Sequence, residues 1–214
     1  GKYNLGETVL TPISGNNISI IGEDRDSTII VNTSKVENEG ISTTATFIIT
    51  GNNTYFQDIT LQNALDYYSS GSAGRAVVIQ DKGNHTICKN VKMLSYQDTY
   101  YSNADGQYYF EGGEIHGTVD YVCGSGDVFY NKVKFVNESR SATSKYGDDV
   151  IAAPYPGTSV TKGYDFNNCI IENRAANFSL GRSWGGNSKL TYINTIIRQP
   201  NEIDDTRFTT AGMN

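Results

Sequence analysis

The chain is poor in residues that common enzyme chemistries rely on: two histidines, three cysteines, four prolines and one tryptophan in 214 residues. His85 and His116 lie in repetitive segments with no evident serine partner, and no Gly-x-Ser-x-Gly elbow occurs, which sets aside a Ser-His hydrolase. No His, Cys or carboxylate group has zinc-ligand spacing, so neither a metal nor a cofactor is expected. The pairs Asp148-Asp149 and Asp204-Asp205 read as solvated loop acids. Cys88, Cys123 and Cys169 cannot all pair with one another, and Cys88 and Cys169 fall at apolar positions, so buried free thiols are expected. No run approaches the roughly 18 apolar residues of a membrane span. A net charge of −6 argues against a nucleic-acid partner, which requires a basic face. Helical periodicity is absent over any useful length.

Glycine (22) and tyrosine (15) are abundant, and Asn and Thr are frequent. Such a mixture suits a turn-rich β fold, because Asn and Gly supply turn conformations and Thr and Tyr fit pleated surfaces. A degenerate repeat runs through the chain: an aromatic or Cys anchor, then apolar residues two positions apart, then a small or amide residue. It reads Phe56 to Asn63, Cys88 to Ser95, Phe110 to Gly117, Tyr130 to Asn137, Phe166 to Asn173 and Tyr192 to Gln199. The anchors are separated by 32, 22, 20, 36 and 26 residues. A minimum near 20 with variable excess is the signature of a coil of three short strands whose turns carry loops of different length. Asn17 to Gly22 reads as an earlier coil, with Ile18 and Ile20 matching Ile59 and Leu61. The pattern predicts an all-β, right-handed parallel β-helix occupying residues 1–214 as a single unit. A β-sandwich would prefer more even strand spacing and tighter hairpin signals. Insertions at Ala64 to Gly74 and Ser139 to Thr161 are expected to wall a groove.

Two acids stand out from the repeat. Asp98 lies three residues past Ser95, and Asp120 three past Gly117, so consecutive coils place them as vertical neighbours, about 4.8 Å apart in a stacked sheet. Two carboxylates held that close cannot both ionise freely, which is how an acid/base pair is made. Asp in such turns also caps backbone groups, so register alone does not assign a reaction.

Three ordered blocks carry a further signal: Tyr96-Gln97-Asp98-Thr99, Gly117-Thr118-Val119-Asp120-Tyr121-Val122-Cys123-Gly124 and Leu180-Gly181-Arg182-Ser183-Trp184. In order and spacing they resemble the signature blocks of pectin methylesterases, with weaker agreement over nearly the whole chain. The resemblance implies a metal-free, monomeric carbohydrate esterase that removes methyl esters from pectin (homogalacturonan) and is secreted, periplasmic or at the cell surface. By the same resemblance, Asp120 is the nucleophile, Asp98 the general acid and then base, Gln97 an oxyanion donor, Arg182 the partner of Asp120, and Trp184 a platform for a sugar ring. Arg75, in Gly74-Arg75-Ala76-Val77, stands where the family places a second oxyanion glutamine. It is assigned to substrate binding, with an oxyanion or structural ion-pair role as alternatives. Cys123 replaces a common aromatic and is expected to reshape packing behind Asp120. The start at Gly1-Lys2-Tyr3 and the stop after a strand-like segment suggest a fragment lacking the family's opening segment and last coils.

Other readings remain open at this level. Paired carboxylates also suit a retaining glycoside hydrolase, and a β-helix can bind sugar without catalysis. Arg182 beside the nucleophile and Gln97 beside the acid fit an oxyanion better than an oxocarbenium ion.

Overall fold

The computed structural model describes residues 1–7, 12–35, 37, 39–69 and 74–209. Among the described residues the strands form three parallel sheets of eight, six and seven strands, and the chain visits them in rotation. One turn illustrates the unit: Gln107–Glu111 in the seven-stranded sheet, Glu114–Gly117 in the eight-stranded sheet and Val119–Gly124 in the six-stranded sheet. This is the right-handed parallel β-helix that the repeat predicts. Parallel crossovers favour that hand because right-twisted strands pack back onto a sheet only that way.

The anchors stack on one another in register. Ile20 pairs with Phe56, then Cys88, Phe110, Tyr130, Phe166 and Tyr192 follow in adjacent strands. Ring centroids lie 4.8 Å apart between Tyr130 and Phe166 and 4.3 Å apart between Phe166 and Tyr192. A second ladder runs Ile30, Leu61, Met93, Ile115, Phe135, Ile171 and Ile197. Stacked side chains of like shape fill the interior, while alternate residues face out.

Asp58, Asn90, Lys132, Asn168 and Asn194 all have positive φ, between 50° and 57°, where the chain turns from the seven- to the eight-stranded sheet. Asparagine or aspartate serves four of these five corners, and Lys132 the fifth. Asn and Asp tolerate this left-handed conformation better than other side chains, because a short polar group can bond locally. Corner side chains also bond from turn to turn: the amide of Asn90 donates to Asp58 of the preceding turn at 2.6 Å.

Three details differ from the sequence expectation. Ile20 aligns with the anchor Phe56, whereas Leu61 aligns with Ile30, so Ile18 and Ile20 do not match Ile59 and Leu61. Alternation with period two looks the same in every sheet and cannot say which face a strand joins. The stretch from Ser139 to Thr161 is not one insertion, because Asp148–Pro154 inside it is a strand of the six-stranded sheet. Asp149 is accordingly a buried strand residue and not a solvated loop acid. In the Ala64 to Gly74 insertion, residues 70–73 lie outside the described residues. Its described part includes the Tyr67–Ser69 turn, and Tyr67 stacks on Tyr96 with centroids 4.3 Å apart. Cys88, Cys123 and Cys169 are all buried free thiols.

Phe166 is fully buried between two stacked rings. Phe166→Ala should destabilise the chain by about 3–5 kcal/mol in urea unfolding. A loss under about 1 kcal/mol would mean that the stack does not hold the solenoid together.

Candidate active site

Asp120 lies in the Val119–Gly124 strand of the six-stranded sheet, and Asp98 in the turn just before the Tyr100–Ser102 strand of the same sheet. Tyr100 pairs with Val122 in adjacent parallel strands, so Asp98 and Asp120, each two residues earlier, occupy the same position on neighbouring turns. The backbone N–H of Asp98 donates to the carbonyl of Val119 at 3.3 Å. Both acids have left-handed backbone, φ 59° at Asp98 and 51° at Asp120. Beyond Asp120 the ladder to the next strand shifts register between Val119 and Val122. Left-handed residues and bulges re-aim side chains at strand ends and store strain where function requires it. Here they turn two carboxylates off the regular alternation into a cleft.

Asp98 and Asp120 are 4% and 2% exposed. Arg182 grips Asp120 with two parallel bonds, Nε to Oδ1 at 2.8 Å and Nη2 to Oδ2 at 2.5 Å. It reaches back from the end of the Asn177–Gly181 strand across the Asp148–Pro154 strand, anchored by its N–H on Ala152. Forked bonding of this kind requires a carboxylate, because a guanidinium has donors only. Asp98 has weaker company: the Cys123 thiol donates to Oδ1 over 3.8 Å, and Arg75 Nε stands 3.8 Å from Oδ2. Burial pushes the Asp98 carboxyl well above its ordinary value, the charge of Asp120 pushes it further, and Arg75 only partly opposes them. Burial raises Asp120 as well, but the hydrogen bonds and charge of Arg182 pull it back, and its net rise is smaller. Both effects favour keeping a shared proton on Asp98 and the negative charge on Asp120.

All six residues singled out in the sequence line one cavity of about 590 Å³: Arg75, Gln97, Asp98, Asp120, Arg182 and Trp184. Gln97 and Arg75 are bridged partners on neighbouring turns, and the Gln97 carbonyl accepts the N–H of Ala76 at 2.9 Å. Trp184 packs near Tyr101 and Tyr155, with centroids 5.9 and 6.1 Å away. These three rings extend the cleft into a second hollow that also includes Asn103, Asp105 and Ser125. Tyr155 thus gives the Ser139 to Thr161 stretch a place at the groove. Cys123, paired with Tyr101 on the neighbouring turn, sets its thiol against Asp98.

Glu39 is a site residue that sequence reasoning missed. Its carboxylate accepts the backbone N–H of Arg75 at 2.9 Å and Nη1 of Arg75 at 3.1 Å. Glu39 belongs to no repeat and lies far from Arg75 in the chain, so no periodic signal marks it. Its segment is tied down nearby, where Asn63 donates to the carbonyls of Thr44 and Val77 and Thr44 Oγ1 accepts the N–H of Val77. His116 takes no part in the site. Its ring nitrogens contact Glu138 at 2.7 Å and Glu114 at 3.1 Å, which makes it a strut between turns. Among the described residues, no group of three or more His, Cys, Asp or Glu is placed to share a metal ion.

The Pectinesterase family model matches residues 1–207. The chain belongs to the pectinesterase family. Among its relatives, pectinesterase QRT1 of Arabidopsis thaliana is 27% identical over 201 residues, which span 89% of this chain and 51% of that protein. The chain spans about half or less of the length of the curated relatives it matches. A pectin methylesterase from Yersinia enterocolitica superimposes with a TM-score of 0.76 at 25% identity, covering 92% of this chain and 74% of that one. The carrot pectin methylesterase shares the fold with a TM-score of 0.75 at 18% identity, over 99% of this chain and 77% of that one.

Two further buried acids separate perturbation from catalysis. Burial pushes Asp81 up to about 6, but it receives bonds from Gly83 N–H and Tyr100 Oη and closes a turn. Burial pushes Asp149 up to about 9, against the pull of Arg140, whose Nε lies 3.5 Å from Oδ1. Asp149 is ionised in the unfolded chain above about pH 4 but stays neutral in the fold until about pH 9, so stability present below pH 4 is lost as pH rises. Asp149→Asn removes that loss. It should stabilise the protein by about 1–3 kcal/mol at about pH 8 and much less at about pH 4, read from urea midpoints. An equal effect at both pH values would contradict the assignment.

Proposed function

We propose that the protein is a carboxylic ester hydrolase that removes methyl esters from methylated galacturonan and releases methanol, with residues 1–214 acting as one catalytic β-helix. The observation that carries the reading is the unequal company of two stacked, buried acids: Arg182 grips Asp120 with two bonds, while Asp98 has only the Cys123 thiol and the Arg75 guanidinium at 3.8 Å. Family membership supports the same reading. A structural neighbour, a pectin methylesterase, is described in complex with a hexasaccharide.

The residues would act in sequence. An Asp120 oxygen attacks the ester carbonyl carbon of a galacturonate C6, and the carbonyl electron pair moves onto oxygen. Gln97 donates its side-chain N–H to that oxyanion. The intermediate collapses, the bond to methoxy oxygen breaks, and Asp98 gives its proton to the departing methanol. Asp120 is then acylated and Asp98 is ionised. A water attacks the acyl carbon while Asp98 takes its proton, and the uronic acid leaves with Asp120 restored as a carboxylate. Arg182 fixes the attacking oxygens, and Trp184 with Tyr101 and Tyr155 offers faces for neighbouring sugar rings. No step requires a metal. Such a substrate lies in cell-wall material, consistent with a secreted or surface-bound enzyme.

A glycoside hydrolase also uses paired carboxylates, but its nucleophile faces an oxocarbenium centre with no oxyanion to receive Gln97. Methanol release from highly methylated pectin tests the proposal, with reducing-end release as the counter-assay. Asp120→Asn should lower kcat by about 10⁴-fold or more, and Gln97→Ala by about 10²–10³-fold. Full methanol release by Asp120→Asn would refute the mechanism.

A further inference from the structure

The cleft presents a cation where the family pattern has a neutral amide. Arg75 replaces the usual glutamine, and its surroundings show how the charge is displayed. Glu39 holds one edge of the guanidinium through Nη1 and also accepts the Arg75 backbone N–H. The Nε edge faces Asp98 at 3.8 Å, too long for a hydrogen bond. The Arg75 side chain is 43% exposed and Glu39 only 10%. A molecule entering the cleft therefore meets the guanidinium, with its counter-anion beneath.

Charge bookkeeping in the cavity agrees with this display. Asp120 is paired with Arg182, burial and the Asp120 charge favour the neutral form of Asp98, and Glu39 is paired with Arg75. The wall is thus electrically balanced while its accessible donor is cationic. A guanidinium is a fixed planar fork that matches a carboxylate in geometry, unlike the single N–H₂ group of an amide. An acidic protein with a net charge of −6 would otherwise repel anionic sugars.

We propose that Arg75, held from below by Glu39, is a receptor for the C6 carboxylate of de-esterified uronate, so that this cleft binds acidic galacturonan units as well as methyl esters. The inference rests on the reading of the cleft as a galacturonan site. Its consequence is retention of acidic product and recognition of free acids already in the chain.

Calorimetric binding tests it without turnover. The full chain carrying Asp120→Asn is titrated with trigalacturonate and with its trimethyl ester, alone and combined with Arg75→Gln or Arg75→Lys. Arg75→Gln should weaken trigalacturonate about tenfold and the neutral ester by less than about twofold. Arg75→Lys should retain part of the affinity for the acid, and added salt should weaken the acid selectively. Equal weakening of both ligands by Arg75→Gln, unchanged binding of the acid, or no binding of the acid in the parent would each overturn the inference. Methanol release is scored separately: a chain that released none yet bound the acid through Arg75 would refute the esterase reading and leave this one standing.

Discussion

The spacing of parallel strands governs this molecule. Neighbouring turns of a parallel sheet sit about 4.8 Å apart, and nothing in the fold can widen that distance without breaking the ladder. Because Tyr100 is paired with Val122, Asp98 and Asp120 are held one turn apart. The stacked Phe110, Tyr130 and Phe166 rings pin that register from inside, since a slip of one residue would send every anchor outward. The core and the site are therefore one constraint seen from two sides.

Forced proximity creates an electrostatic problem that the rest of the site resolves. Two buried anions at that separation are unfavourable, so one acid must keep its proton. Arg182 decides which: its two bonds to Asp120 make that residue the anion, and Asp98, beside the Cys123 thiol, keeps the proton. The same acids in a flexible loop would relax apart and titrate like ordinary carboxylates. Left-handed backbone at both positions is part of the cost, borne by Asp because its short side chain tolerates that conformation.

Much of this was legible in the chain because a solenoid writes its geometry as periodicity. The anchors from Phe56 to Tyr192 predicted their own stacking, and the offset of Asp98 and Asp120 from their anchors predicted their alignment. Arg182 and Trp184 came from local blocks. What escaped was non-periodic. Glu39 reaches Arg75 from a segment outside any repeat, and its place depends on tertiary ties such as Asn63 to Thr44. Asp149 was misread because two adjacent acids look like a loop, while the strand that buries one of them is set by pairing with Val119–Gly124. The sheet assignment of Ile20 failed for a related reason: alternation reports a strand but not its partner.

The central claim is that the two stacked acids share one proton, held by Asp98. Site-resolved carboxyl NMR of the ¹³C-aspartate-labelled chain, assigned by single substitutions, measures this directly. At neutral pH the account predicts a protonated Asp98 and an ionised Asp120. Finding both ionised, or the proton on Asp120, would contradict it.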